Sequence, residues 1–254
     1  MKKITIFILT LLTLTTSVFA QNNQSYKSYW VRDYTDYKIR TKTYSKDAQK
    51  LAFLTFDDGP NNVITPQVLD ILKKNNIKAT FFVVGKNIND NTAKTLKRAY
   101  NEGHQIAIHS YTHDYKLLYP NRKGNTDRIV KEVLDTEKRI QKYLGPNYKA
   151  TVWRYPGGHM SWKNLYDTDI KLAKHGIYWI DWNAMTGDAE PKKNRPTTAE
   201  GTVNMLNKTI NANKSSGCVV ILMHDALGKK LTVKSLQSVI DNLKNRGYAF
   251  ATIN

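Results

Sequence analysis

The sequence predicts an α/β fold with about seven parallel strands. Three observations carry that reading. Short apolar runs alternate with helical patterns along most of the 254 residues, and strands separated by helices pair in parallel. Nearly every run empties into polar residues, at the strand ends where parallel α/β folds assemble their chemistry. No glycine-rich phosphate loop, neither G-x-G-x-x-G nor G-x-x-x-x-G-K, follows the first run, which weighs against a nucleotide-binding sheet. The alternation itself fits either a barrel or a doubly wound sheet.

Taken in order, residues 1–20 read as a signal peptide. Lys2 and Lys3 precede the apolar run "ITIFILTLLTLTTSV", and "VFA" supplies small residues for cleavage at Ala20. The run from Ile4 to Val18 is 15 residues, short of the roughly 20 that span a bilayer, so no stable membrane insertion is expected once the leader is removed. Residues 21–50, rich in Tyr, Lys, Asn and Ser, read as an N-terminal arm or early hairpin packed over the domain. The main domain is expected over residues 51–254. Within it "KLAFLTF" precedes a helix from about Thr65 to Lys74, "ATFFVVG" one from about Thr92 to Asn101, and "QIAIHS" a longer one. In that longer helix Ile129, Val133, Ile140 and Tyr143 share a face, Asn125 or Thr126 caps the start, and Gly145 with Pro146 ends it. "TVWRYP", a helix within Trp162 to Lys174, "GIYWID", a helix from about Thr198 to Asn213, "CVVILMH", a helix from Val233 to Asn245 and "YAFATIN" complete the alternation.

The strand ends collect the reactive residue types. The first run ends in Asp57-Asp58, the third in His109 with His113 four residues on, the fourth in Arg154, the fifth in the region of Asp181 and Asp188, and the sixth in His224-Asp225. "HSYTH" sets His109 and His113 one helical turn apart if the chain coils there, a spacing that lets two imidazoles hold one cation. A carboxylate from Asp57 or Asp58 would complete a two-histidine, one-carboxylate set with open positions. The other carboxylate is then free to take a proton from a water whose pKa the ion has lowered to about 7.

In this order the motifs resemble those of the polysaccharide deacetylase family, the NodB-homology carbohydrate esterases. "TFDDGP" is similar to the family's first motif, "HSYTH" to its second, "RYPGG" to its third and "ILMHD" to its last. The resemblance implies a distorted (β/α) barrel with fewer than eight units. It implies Asp57 as general base, Asp58, His109 and His113 as ligands of one divalent metal, and His224 as general acid. It implies that Arg154 orients Asp57 and that the Tyr155 backbone N–H stabilises the oxyanion, a role worth roughly 3 to 4 kcal/mol per donor in acyl-transfer sites. Asp188 is the preferred partner of His224 and Asp181 the runner-up, since Asp188 lies past the expected strand end although Ala189 then replaces a family tryptophan. Asp114 stands where the second motif often continues into proline. Tyr111 and Trp182, with Pro156, are the candidate substrate-binding residues, and Tyr155 and Trp162 are further aromatics near the motifs.

The two-histidine, one-carboxylate set suits Zn2+, with Co2+, Ni2+, Fe2+ or Mn2+ as alternatives. The expected activity is hydrolysis of N-acetyl groups on N-acetylglucosamine polymers, foremost peptidoglycan, with chitin-type oligomers or a secreted exopolysaccharide as alternatives. A non-catalytic carbohydrate-binding protein on the same scaffold is the competing reading. Lys and Arg number 39 against 21 acidic residues, a formal charge of +18, which favours acidic partners such as an anionic wall polymer. Nucleic acid is not the expected partner. The leader places the protein outside the cytoplasm, in the periplasm, at the cell wall or secreted. The single cysteine, Cys218, rules out an internal disulfide.

Overall fold

The run "KLAFLTF" becomes the strand around which everything else is arranged. In the computed structural model of the protein, which describes residues 24–35, 49–212 and 217–254, the elements run β1 (Ser25–Tyr26), α1 (Ser28–Thr35), β2 (Lys50–Asp57), α2 (Thr65–Lys74), β3 (Thr80–Val83), α3 (Ala93–Asn101), β4 (Gln105–Ile108), α4 (Tyr115–Leu118), α5 (Thr126–Leu144), β5 (Val152–Trp153), α6 (Tyr166–Lys174), β6 (Tyr178–Trp179), β7 (Ala184–Met185), α7 (Ala199–Ala212), β8 (Cys218–His224), α8 (Lys230–Asn245) and β9 (Tyr248–Ile253). The expected leader, residues 1–20, lies outside the described residues, as do 36–48 of the expected arm and Asn213 at the end of its helix.

Seven parallel strands in the order β7-β8-β2-β3-β4-β5-β6, with helices outside, form a distorted half-barrel. No ladder joins β6 to β7, so the barrel is open along that seam. The number seven agrees with the sequence reading, but one member differs. The last run, β9, lies at the base, where it pairs with Lys50–Phe53 of β2, while β3 takes Thr55–Asp57 on the same strand. The seventh barrel strand is instead β7, two residues inside "NAMTG" that pair with Ile221 and Leu222 of β8. In the described part of the arm, β1 pairs in parallel with β9, and the Ser28 N–H donates to the Asn254 carbonyl at 2.8 Å. An eight-residue helix follows, where a hairpin was an alternative.

The period-2 alternation of β2 builds two cores at once. Ala52, Leu54 and Phe56 face the helical layer, packing in one cluster with Leu69, Leu72, Leu236 and Val239. Leu51 and Phe53 face the interior with Phe82, Ala107, Val152, Ile180, Val220 and Ala251. Burying each phenylalanine contributes about 1.5–3 kcal/mol. Helix α1 adds Val31 to the interior cluster, and the Arg32 guanidinium lies 4.4 Å from the centre of the Trp179 ring. The Asn125 side chain caps α5 by accepting from the Arg128 N–H. Further up β2 the same inward-facing series continues as Thr55 and Asp57, so the barrel lining turns from apolar at the base to polar at the rim.

Candidate active site

The two adjacent aspartates have different surroundings because the chain leaves β2 between them. Asp57 is the last inward residue of the strand. Its carboxylate accepts from Arg154 Nη1 at 2.8 Å, and its side chain is 3% exposed. Arg154 is itself fully buried. Its remaining N–H groups reach Thr55 Oγ1 (2.8 Å) and the carbonyls of Ile180 (3.1 Å) and Asp181 (3.2 Å), and Phe82 lies under the guanidinium at 4.1 Å. That satisfies most of the five donors of a buried cation. Asp58 has a φ of 75°, a left-handed conformation that aspartate tolerates better than most residues. Asn87 Nδ2 donates to its carbonyl at 2.8 Å. Its side chain is 28% exposed. Gly59 follows because a Cβ there would stand 2.4 Å from Asp225 Oδ2.

The histidines do not share a helical turn. The loop from His109 to His113 contains two non-glycine residues in the left-handed region, Ser110 (φ 61°) and His113 (φ 56°), at a cost on the order of 1–3 kcal/mol each. Helix α4 begins only after Asp114, whose carboxylate caps it by accepting from the Lys116 N–H at 2.8 Å. The loop nonetheless brings both imidazoles to one place. Asp58 Oδ1 lies 3.6 Å from His109 Nε2 and 3.3 Å from His113 Nε2. Donors bound at about 2.0–2.1 Å around a tetrahedral zinc stand about 3.3 Å apart, so the set fits a divalent cation. His109 Nδ1 donates to the Arg154 carbonyl at 2.9 Å, which assigns the tautomer that leaves the Nε2 lone pair for a metal. Burial, and then the neighbouring His109, hold the His113 imidazole below the ordinary histidine value and favour the neutral form that ligates.

Register places Asp57 of β2 directly beside His224 of β8. Of the two candidate partners of His224, Asp188 is the one beside it. Asp188 Oδ1 meets His224 Nδ1 at 2.9 Å, while its Oδ2 accepts from the His224 N–H (2.8 Å) and from Thr232 Oγ1 (2.9 Å). Burial works against charge on this imidazole, yet the Asp188 hydrogen bond and charge outweigh it and raise the His224 pKa above its ordinary value. Against the same burial penalty, His224 draws the Asp188 pKa down. Asp181 does something else: its oxygens accept from the backbone N–H groups of His159 (2.8 Å) and Met160 (3.2 Å).

A cavity of about 340 Å³ has Asp57, Asp58, His109, His113, Asp188 and His224 in its wall. A second lobe of about 490 Å³ meets it at Asp58 and His113. Trp182 lines the first lobe. Tyr111 and Pro156 do not. The Tyr111 hydroxyl accepts from Arg139 at 2.8 Å and its ring lies against Gly85, because the left-handed turn at Ser110 carries it off the cavity. The Pro156 carbonyl accepts from Trp162 Nε1, and Gly157 lines the wall instead. The Tyr155 ring is buried with its hydroxyl on Asp169 at 2.6 Å, and its backbone N–H donates to no acceptor among the described residues. Sequence reasoning missed Tyr115, Leu222 and Lys229 on the cavity wall. It also missed the role of Asp225 under the Asp57–Gly59 turn, where burial pushes the carboxyl up to about 7.

Comparison with known proteins gives a consistent result. The polysaccharide deacetylase family pattern matches residues 44–178. A CE4 esterase from Streptococcus mutans superposes with a TM-score of 0.85 at 44% identity, over 92% of this chain and 94% of that one. A peptidoglycan-N-acetylglucosamine deacetylase from Bacillus cereus is 30% identical over 81% of this chain and 87% of its own length. The deacetylase PgdA of Listeria monocytogenes is 34% identical over 85% of this chain. The chain spans 30% to 41% of the length of the longer curated relatives it matches.

Proposed function

The chain belongs to the polysaccharide deacetylase family, and from that premise we propose that it is an exported, metal-dependent hydrolase that removes N-acetyl groups from N-acetylglucosamine polymers, with peptidoglycan as the principal substrate. The observation that carries this reading is the meeting, in one cavity wall, of Asp58 with His109 and His113, of Asp57, held from behind by the buried Arg154, and of His224 with Asp188.

Asp58, His109 and His113 are the ligands, with zinc the best-suited ion and cobalt, nickel, iron or manganese accepted according to supply. A divalent cation held there supplies Lewis acidity, polarising the acetamide carbonyl and making a water easier to deprotonate. Asp57 takes the proton of the attacking water. Its Oδ1 is fixed by Arg154, and its Oδ2, 3.7 Å from His109 Nε2, is the oxygen on the ligand side. The unengaged Tyr155 N–H donates to the oxyanion as the carbonyl carbon becomes tetrahedral. His224, raised towards the protonated form by Asp188, delivers a proton from Nε2 to the leaving amine, and the C–N bond breaks. Trp182 packs against the sugar.

Substrate class is supported by shape and charge. The two lobes adjoin at Asp58 and His113 and together make a cleft longer than either, which suits a unit of a polymer. The +18 charge suits an anionic wall glycan, and the leader-like residues 1–20 suit export. No helix among the described residues is long and apolar enough to cross a membrane. Acetate release from peptidoglycan, chitooligosaccharides and exopolysaccharide, with and without a chelator, tests the proposal. The expected result is release from peptidoglycan that stops when metal is removed. Release unaffected by the chelator, or none from any glycan, overturns it.

A further inference from the structure

We propose that Glu132, on the long helix α5, is a positioning residue for the metal centre: its carboxylate fixes the backbone between His109 and His113 so that both imidazoles face Asp58. The inference rests on reading Asp58, His109 and His113 as metal ligands, and it adds a residue from outside every motif.

Glu132 lies on the buried stripe of α5, beside Ile129 and Val133 and a turn before Thr136, and is only 3% exposed. A carboxylate buried so deeply needs donors, and the ligand loop supplies most of them. Oε2 accepts from the backbone N–H groups of Tyr111 (3.0 Å) and Thr112 (2.9 Å), and Oε1 from the Thr112 hydroxyl (2.7 Å). Arg128, one turn earlier, closes the arrangement through Nε at 2.8 Å. Three of the four bonds therefore go to the two residues between Ser110 and His113. The other side of the loop is tied as well: the N–H groups of Gly85 and Lys86 donate to the carbonyls of Ser110 (3.0 Å) and Tyr111 (2.9 Å).

The loop needs this support because two of its non-glycine residues hold left-handed backbone, and such conformations persist only where their surroundings over-determine them. Glu132 touches neither the cavity nor an imidazole. It acts through the peptide groups, setting the separation and aim of two side chains that leave opposite ends of a short loop.

The test titrates Co2+ into metal-free wild-type protein and Glu132→Gln, reading affinity by chelator competition and donor geometry by the visible absorption of the bound ion. Glutamine keeps the shape but turns an NH2 group towards N–H donors. The expected result is a 10- to 100-fold loss of cobalt affinity with a changed absorption band. Val133→Ala, the next residue on the same buried stripe, lowers the melting temperature but leaves affinity and band at wild-type values. Should Glu132→Gln fail to fold, Thr112→Val removes the hydroxyl's bond to Oε1, together with the longer one it accepts from the Asp114 N–H at 3.2 Å, and gives a smaller loss in the same direction. Wild-type affinity and band in Glu132→Gln, or in Thr112→Val where Glu132→Gln does not fold, overturn the role of Glu132 while leaving the metal site standing. A wild-type protein that binds no cobalt overturns the site and this inference together.

Discussion

The two ends of the barrel are made by the same strands to opposite specifications. At the base, inward positions are Leu51, Phe53, Ala249, Ala251 and Ile253, packed with Val31 of α1 on regular strand backbone. At the rim the inward position of β2 is Asp57, and Asp58, Ser110 and His113 all hold left-handed backbone. Four residues along one strand separate Phe53 from Asp57. The base gains free energy by excluding water, whereas the rim gives some back in strain and buried charge to hold reactive groups at fixed distances. A stable floor makes a strained ceiling affordable.

That division makes predictions that would break or sharpen it. The largest effect is expected for Asp57→Asn, with turnover falling by roughly 10²- to 10⁴-fold and cobalt still bound. Because Arg154 then keeps its burial but loses its counter-charge, this variant should also melt earlier, the one rim change expected to register in both assays. Asp58→Asn, which also tolerates the left-handed backbone at that position, should abolish chelator-sensitive metal binding and activity without lowering the melting temperature of the metal-free protein, as measured by calorimetry. At the base the pattern inverts: Phe53→Ala should cost about 3–5 kcal/mol of stability in denaturant unfolding and leave kcat/KM unchanged wherever the protein is folded. If Phe53→Ala changed kcat/KM tenfold, floor and ceiling would be coupled.

Two smaller effects concern protons. His224 is raised by Asp188, so its acid form persists to higher pH, and activity needing that form is lost as pH rises through the raised value. Asp188→Asn removes the cause, so the alkaline limb of the kcat/KM profile should move to lower pH with about a hundredfold loss of rate, while Asp181→Asn leaves the limb in place. Asp225 should show the smallest change. Its folded value of about 7 lies above the usual 3.8, so its contribution to stability is fully present below about pH 4 and is lost as pH rises towards 7. Asp225→Asn should flatten that slope in a melting-temperature series.

What the sequence revealed follows the same division. Long strands announce themselves as unbroken apolar runs and long helices by their period, so β2, β8 and α5 were legible with their bounds nearly right. The strands β5, β6 and β7 have two residues each, too few for any alternation, and β7 was passed over inside a loop. Tyr111 was expected at the substrate and Tyr115 was not, because left-handed turns at Ser110 and His113 redirect the chain in a way that spacing does not encode. Asp188 and Asp181 were separable only by a strand end, whereas the structure distinguishes them by the donors each one meets. Glu132 did leave a signal. A charged residue on the apolar stripe of Ile129, Val133 and Ile140 is out of pattern, and out-of-pattern burial marks a group with something to hold.

The pairing of β1 with β9 also bears on how the chain comes into being. The residues that receive Ser25, Tyr26 and Ser28 are Thr252, Ile253 and Asn254. On the ribosome, the segment carrying Trp30, Val31 and Arg32 therefore emerges more than two hundred residues before the strand it docks on. That early stretch is among the last to find its seat, and until then the floor of the nascent barrel stays exposed.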